Sequence, residues 1–432
     1  MCRSRIAVRA FPAAAALLLL ALAGACAPAP TVRPAAAPAE RVAALERQLA
    51  RDSGDLATLR ALGGAYRAAR QYDAARAVLA RALARRPNDA DASFQLALVE
   101  EDAGRVAEAR RLYEAFLRQP GGASPRLRAA VRGRLLLLQR RTAADAARSA
   151  LAREAELSAT PPDPAAVAVF PFLFQAADST LRPLSRALAE LLVTDLGQTS
   201  RLRPLERVQV QALLDELRLA EQGLVDPATA ARSGRLLGAG RVVQGAIAGD
   251  TAALRLNAAV VGLGAGWDGR AAPVAVQDRL RRLLDLQKQL ALGVYRALGI
   301  ELTPAERERV ERRPTENLQA LLAYGLGLEA EERGEFAQAA AAYGRAAQLD
   351  GGFRLARQRR ADATQAALAA ATSTDALAAR AEAERAEAAG EFAALDALLP
   401  GAGAHDVAAE ALGAERPRAT GAVLRVRIRP QP

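Results

Sequence analysis

Hydrophobic positions recur at an interval of 34 residues near the start of the chain. Leu62 falls on Leu96, Gly63 on Ala97, Ala75 on Ala109, Leu79 on Tyr113 and Ala82 on Phe116. Within each unit the apolar spacing is helical, and the unit reads as a pair of helices. Gly63 and Ala75 are small where the two helices must approach. Pro87 ends the first unit, and Pro120 lies one residue short of the matching place after the second. Residues 126–157 form a further long helical stretch, suited to capping the stack. After a Pro-rich linker at 160–164 the periodicity shortens. Apolar runs at 167–172, 202–206, 241–248, 253–261 and 272–277 predict strands, the third and fourth joined as a hairpin through Gly249-Asp250. Helices are expected at 184–196, 208–219, 226–237 and 278–298. The second last of these opens with Asp226 as N-cap and Pro227 at its first position, and Gly238 ends it.

The helical pattern returns at 321–349. Leu326-Gly327 matches Leu62-Gly63, Ala339, Tyr343 and Ala346 take the small and aromatic positions, and Gly334 occupies the inter-helix turn. Residues 361–398 continue as Ala/Glu/Arg-rich helix, and a Pro/Gly break follows at 400–404. In the tail 399–432, Leu424, Val426 and Ile428 alternate with arginines. That alternation predicts an edge strand whose charges discourage further pairing.

The first 25 residues read as an export signal. Arg3, Arg5 and Arg9 precede an apolar stretch at 13–22, too short for a membrane-spanning helix. Leu22-Ala23-Gly24-Ala25-Cys26 resembles the bacterial lipoprotein signal, in which the cysteine becomes lipidated. The resemblance implies that Cys26 is the mature N-terminus and a lipid anchor. Ala27, where an aspartate would mark retention at the inner membrane, implies the outer membrane facing the periplasm. Residues 26–40 then form an extended Pro/Ala tether.

Composition narrows the chemistry. With 51% hydrophobic residues the chain has material for folded cores, and only 4% aromatics favours closely packed helices over a large β-sandwich. The net charge is +11, carried almost wholly by arginine, since Lys288 is the sole lysine. These arginines alternate with acids along the helices, the pattern of solvated faces, so no nucleic-acid partner is expected. His405 is the sole histidine, and Cys2 and Cys26 are the sole cysteines. No His/Cys metal cluster and no serine or cysteine nucleophile paired with histidine is expected, and no cofactor is called for. Residues 264–269 fit G-x-G-x-x-G, but the stretch after them reads as extended, whereas a dinucleotide site needs a helix there. They are expected to form a loop carrying Trp267, the sole tryptophan.

Two resemblances give the fold class. Residues 41–158, with Leu62-Gly63-Gly64-Ala65-Tyr66, resemble tetratricopeptide repeats, and 315–398 resemble a further unit. Residues 163–300 are similar to CsgG-like domains on several segments. These are Val-Ala-Val-Phe-Pro-Phe at 167–172, Leu-Leu-Val-Thr-Asp-Leu at 191–196, Leu205-Glu206-Arg207, 213–217, Leu237-Gly238-Ala239 and 242–245. That family includes the curli-secretion lipoprotein, and similar folds occur in outer-membrane activators of penicillin-binding proteins. The expected architecture is multidomain α and α/β, with helical repeats around a central α/β domain. The expected role is a non-enzymatic, lipid-anchored periplasmic adaptor binding a protein or peptide. Its repeat groove would be lined by Arg60, Arg67, Phe94, Leu98 and Glu101, and its central domain allows self-association. The alternatives are a subunit of an outer-membrane secretion ring and a regulator of cell-wall synthesis. A pore is disfavoured, because no spare pair of amphipathic hairpins remains between Val167 and Leu298.

Overall fold

A computed structural model describes residues 37–119, 124–217, 226–263 and 271–398. Cys26, the segment expected as export signal, the glycine motif with Trp267, His405 and the segment 423–429 expected as a strand lie outside the described residues.

The chain begins with antiparallel helices. They are α1 (Pro38–Arg51), α2 (Leu56–Ala68), α3 (Tyr72–Arg85), α4 (Ala90–Asp102) and α5 (Val106–Arg118). Asp55 and Asp89, 34 residues apart, cap α2 and α4, accepting hydrogen bonds from Thr58 N and Ala92 N at 3.2 and 2.9 Å. Gly63 fits its role in the pair: a Cβ there would lie 2.5 Å from the Leu79 side chain. Ala75 and Ala82 are fully buried opposite. Each pair turns through a residue with positive φ, Arg70 in the first (60°) and Gly104 in the second (75°). α1 opens at Pro38, inside the segment expected as tether.

The predicted capping stretch is two helices, α6 (Pro125–Ala152) and α7 (Glu154–Ala159). α6 is the pivot of the molecule. One side packs on α5 and another on helices near the end of the chain.

The central domain is a six-stranded sheet made of β1 (Asp163–Val169), β2 (Leu173–Ala176), β3 (Arg203–Pro204), β4 (Ala239–Gly249), β5 (Leu254–Gly262) and β6 (Ala271–Asp278). The order is β3-β1-β4-β5-β6, and β2 pairs with β4 beyond the end of β1. β1, β2 and β3 run in parallel pairs, while β4, β5 and β6 form an antiparallel meander. The strand expected at 167–172 begins earlier and ends sooner, with β1 stopping at Val169, and β2, starting at Leu173, is a strand that was not expected. Alternation of side chains sends Val167, Val169, Val243 and Ile247 to one face. There they meet α8 (Leu184–Leu196) and α11 (Leu283–Ala297). Ala166, Ala168, Phe170 and Val242 face the other side, against α9 (Arg207–Glu216) and α10 (Pro227–Leu236). Asp226 caps α10 through Thr229 N at 2.8 Å, and Gly238, with φ of 66°, closes it.

A short helix absent from the sequence reading, α12 (Pro304–Glu311), leads to α13 (Leu318–Glu332), α14 (Phe336–Leu349), α15 (Arg354–Ala370) and α16 (Thr374–Leu398). The stretch expected as continuous helix at 361–398 is broken at Thr372-Ser373. Gly334 turns α13 into α14 with φ of 79°. Gly327 repeats the role of Gly63, with a Cβ position 2.4 Å from the Tyr343 ring. Its neighbour Leu326 is exposed, whereas the matching Leu62 is buried.

Core membership cuts across the linear order of domains. The sheet face under α8 and α11 continues without interruption into α13, α14 and α15 through Tyr324, Tyr343 and Phe353. α15 packs along α6, and their approach is so close that a Cβ on Gly133 would lie 2.1 Å from the Gln365 carbonyl oxygen. The N-terminal repeats have their own core, and Leu377 and Ala381 of α16 belong to it. The two repeat regions therefore meet on α6, and the last described helix returns to the first repeats. No helix among the described residues is long and apolar enough to cross a membrane.

Candidate functional site

The concave side of the N-terminal repeats is formed by the first helix of each pair, α2 and α4. The structure brings Arg60, Arg67, Phe94 and Leu98 to this side and lays α16 across it. Arg67 is buried and bridges two acids, Asp102 at 2.7 Å and Asp375 of α16 at 2.9 Å. Thr374 Oγ1 donates to Asp102 Oδ1 at 2.7 Å, fixing the start of α16. One further end of the contact is Asp91, which faces Arg60 at 3.1 Å and Arg385 of α16 at 3.7 Å. Burial pushes the Asp91 carboxyl above its ordinary pKa, and Arg385 and Arg60 oppose that shift. Between these two poles, Leu377 and Ala381 are buried against the repeats.

Phe94 and Leu98 are packing residues as much as groove residues. Phe94 is 2% exposed, and its ring lies 5.4 Å from Phe116 and 6.3 Å from Tyr113, centroid to centroid. Leu98 has no exposed surface. Glu101 faces inward rather than to the groove. It accepts from the Tyr113 hydroxyl at 2.9 Å and pairs with Arg134 of α6 at 2.7 Å. Arg134 also donates to the carbonyls of Ala369 and Thr372, at 3.0 and 2.8 Å. Glu101 thereby supports the joint between α15 and α16. A cavity of about 200 Å³ remains between α16 and the repeats, bordered by Gly64, Phe94, Gln95, Ala378 and Ala379. Gln95 is buried, and its Oε1 has no hydrogen-bond partner.

A second cluster, which the sequence reading missed, fastens the C-terminal helices to the central domain. Arg207 of α9 reaches Glu331 at 2.6 Å and Glu332 at 3.0 Å, both on α13. Arg359 of α15 pairs with Glu190 of α8 at 2.5 Å and with Glu331 at 3.3 Å. Arg186 adds contacts to Glu332 and Glu329, and the Tyr343 hydroxyl donates to Glu331 at 2.6 Å. Burial works against the Glu331 carboxylate, but Arg207 and Arg359 outweigh it and hold its pKa below the ordinary range. Arg140 of α6 donates to the carbonyls of Glu331 and Glu332, placing a cation at the C-terminus of α13. These groups border an open cavity of about 620 Å³ between α6, α9 and α15. The acids come from α8 and α13 and the arginines that meet them from α6, α8, α9 and α15, so no local spacing announces the cluster.

A third charged group is the pair of Lys288 and Asp195, 2.8 Å apart and buried between α11 and α8. Gln287 Nε2 donates to Asp195 Oδ2 at 2.8 Å, and the Tyr295 hydroxyl donates to the Asp195 carbonyl at 2.7 Å. Among the described residues no group of His, Cys, Asp and Glu side chains is arranged to hold a metal ion.

Comparison with known proteins follows this division. Residues 66–132 match the family model of the tetratricopeptide repeat, and residues 149–282 match that of the curli production assembly/transport component CsgG. No curated protein matches the chain. Among solved structures, the LpoB C-terminal domain from Salmonella enterica is 18% identical, over 28% of this chain and 87% of that one, with a TM-score of 0.22. E. coli LpoB is 16% identical, over 29% of this chain and 64% of that one, also with a TM-score of 0.22. The chain thus joins a region similar to tetratricopeptide repeats, residues 66–132, to one similar to the curli production assembly/transport component CsgG, residues 149–282.

Proposed function

We propose that this protein is a non-enzymatic, lipid-anchored adaptor of the bacterial cell envelope, facing the periplasm and binding a protein partner through its N-terminal repeats. One observation carries the reading: the concave face of those repeats already holds a helix, α16, between a cationic pole at Arg67 and an anionic pole at Asp91. A surface that accepts a helix from its own chain has the shape and charge to accept one from another protein. The match to the CsgG family supports placement in the envelope, and the cysteine at the end of the signal supports the anchor. Anchoring through Cys26 would hold the groove near the inner leaflet of the outer membrane, within reach of the tether.

The test has two parts. A photo-crosslinking amino acid at Arg60, on the edge of the groove, is expected to capture a discrete envelope protein in cells, identified by mass spectrometry. Cys26→Ser is expected to move the chain from the membrane fraction to the soluble periplasm and to reduce that capture. A chain that stays in the membrane fraction after Cys26→Ser would refute the anchor. Absence of any crosslinked species at Arg60 would refute the adaptor role.

A further inference from the structure

The helix in the groove fits it imperfectly. Two ion pairs hold its ends, Arg67 to Asp375 and Asp91 to Arg385, and Leu377 and Ala381 fill part of the apolar floor. Between them, Ala378 and Ala379 border the 200 Å³ cavity together with Gln95, whose buried side-chain oxygen has no donor. The cavity is open to solvent, so it leaves room for a larger side chain, and buried polar atoms are normally paired. A helix with a bulky apolar side chain in place of Ala378 would fill what α16 leaves empty. The outer pairs are also easily exchanged: Asp375 is 79% exposed, and the Arg385 contact is 3.7 Å long.

We propose that α16 is a displaceable occupant of the repeat groove. The groove's proper ligand is an amphipathic helix of a partner protein, with the same polarity of charge and a larger residue at the Ala378 position. Such a helix carries an acid in its first turn to meet Arg67, a Leu-sized residue one turn on, and an arginine about ten residues after the acid to meet Asp91. Release of α16 hinges at Thr372-Ser373, where Arg134 clamps the carbonyls that end α15 while its other contact, Glu101, belongs to the groove helix α4. The inference rests on the adaptor reading and adds to it the chemistry of the partner and the device that keeps the groove closed.

The probe is a fluorescent peptide of residues 373–387 carrying Ala378→Leu, titrated by anisotropy into the full lipidated chain in mild detergent. Asp375→Arg together with Arg385→Glu, introduced in the chain, sets like charges against Arg67 and Asp91 without touching the repeats. This variant is expected to bind the peptide at least tenfold more tightly than the unaltered chain. Ala378→Leu in the chain itself fills the cavity from within, and it should weaken peptide binding tenfold and slow hydrogen exchange along α16. Equal affinity in all three chains would overturn the proposal, because α16 would then not compete for the groove. A charge-reversed chain that keeps its circular dichroism yet binds no peptide would overturn it too. Crosslinking from Arg60 in cells would then decide the adaptor reading on its own, since a partner captured there need not be a helix of this kind.

Discussion

Replacing Lys288 with methionine isolates the energetics of the one buried amine among the described residues. The Lys288 and Asp195 side chains are 8% and 5% exposed. At an effective dielectric of about 20, charges this close attract by about 6 kcal/mol, and desolvating the two ions costs a similar amount. The intact pair is therefore near neutral for stability. Methionine keeps most of the packing volume but leaves the Asp195 carboxylate with Gln287 as its remaining side-chain donor. Breaking one side of a buried pair costs about 3–5 kcal/mol. Lys288→Met with Asp195→Asn removes both charges and retains an acceptor for Gln287, so the double variant should cost less than Lys288→Met alone. Hydrogen exchange of peptides from α8 and α11 reads the loss locally, which avoids treating a multidomain chain as two-state. The effect also has a direction with pH. Burial raises the Asp195 pKa, while Lys288 and Gln287 pull it down. Without Lys288 the folded pKa rises further. A raised carboxyl pKa gives stability that is intact below the unfolded value, about 3.9, and lost as pH climbs through the folded value. The deficit of Lys288→Met should thus grow from about pH 4 upward. A deficit that is independent of pH, or a double variant whose loss equals the sum of the two single losses, would refute the reasoning.

Three further outcomes are expected. Gly133→Ala puts a Cβ 2.1 Å from the Gln365 carbonyl oxygen, so α6 and α15 must separate; a loss of about 1–3 kcal/mol should appear as faster hydrogen exchange in both helices. Arg70→Gly removes a left-handed conformation from a side-chain-bearing residue, at the turn where the next repeat has Gly104. Thermal unfolding of the N-terminal repeats should move up by a few degrees, for a gain of about 1 kcal/mol. Glu306 caps α12 together with Thr303, and those hydrogen bonds hold its pKa down at about 2 instead of 4.5. Its stabilising effect is present above pH 4.5 and lost as pH falls from 4.5 towards 2, so Glu306→Gln should flatten that part of a melting-temperature profile.

What the sequence made legible was periodic. The 34-residue interval led to the repeats, because Gly63, Ala75 and Gly327 are forced to be small by the helix they face. The period-two runs led to β4, β5 and β6, which the structure places within one residue or two of the expected limits. Boundaries failed where tertiary contacts set them. β1 and β2 are separate strands because Phe170 and Phe172 pack on opposite faces of the sheet across Pro171. The helix expected over 361–398 breaks because Ser373 Oγ accepts from Ala376 N to cap the next helix and because Arg134, a donor that no local pattern reveals, takes the carbonyls of Ala369 and Thr372. At the groove, periodicity put Arg60, Arg67, Phe94 and Leu98 on one side of α2 and α4. It could not tell that Glu101 turns towards Tyr113 and Arg134, which come from other helices. The recurrence of Asp55 and Asp89 at the repeat interval was a readable capping signal. The cluster around Glu331 was not readable, since its members span Arg140 to Arg359.

A groove closed by its own chain changes what its affinity means. A helix tethered through a two-residue joint competes at an effective concentration on the order of millimolar. The apparent affinity of an outside helix is its intrinsic affinity multiplied by the fraction of chains that are open. With one chain in about a hundred open, a partner that binds the open groove at about 1 μM would need about 100 μM in solution. The same arithmetic favours a partner that fills the space beside Ala378, because a feature α16 lacks adds to the partner's side of the competition alone. It also favours a partner held at the same membrane, where a lipid anchor on Cys26 would confine both to a thin layer and raise the local concentration without any new contact. Closure by α16 and attachment to a membrane are then complementary: the first suppresses binding by helices met in passing, and the second restores binding to those held alongside.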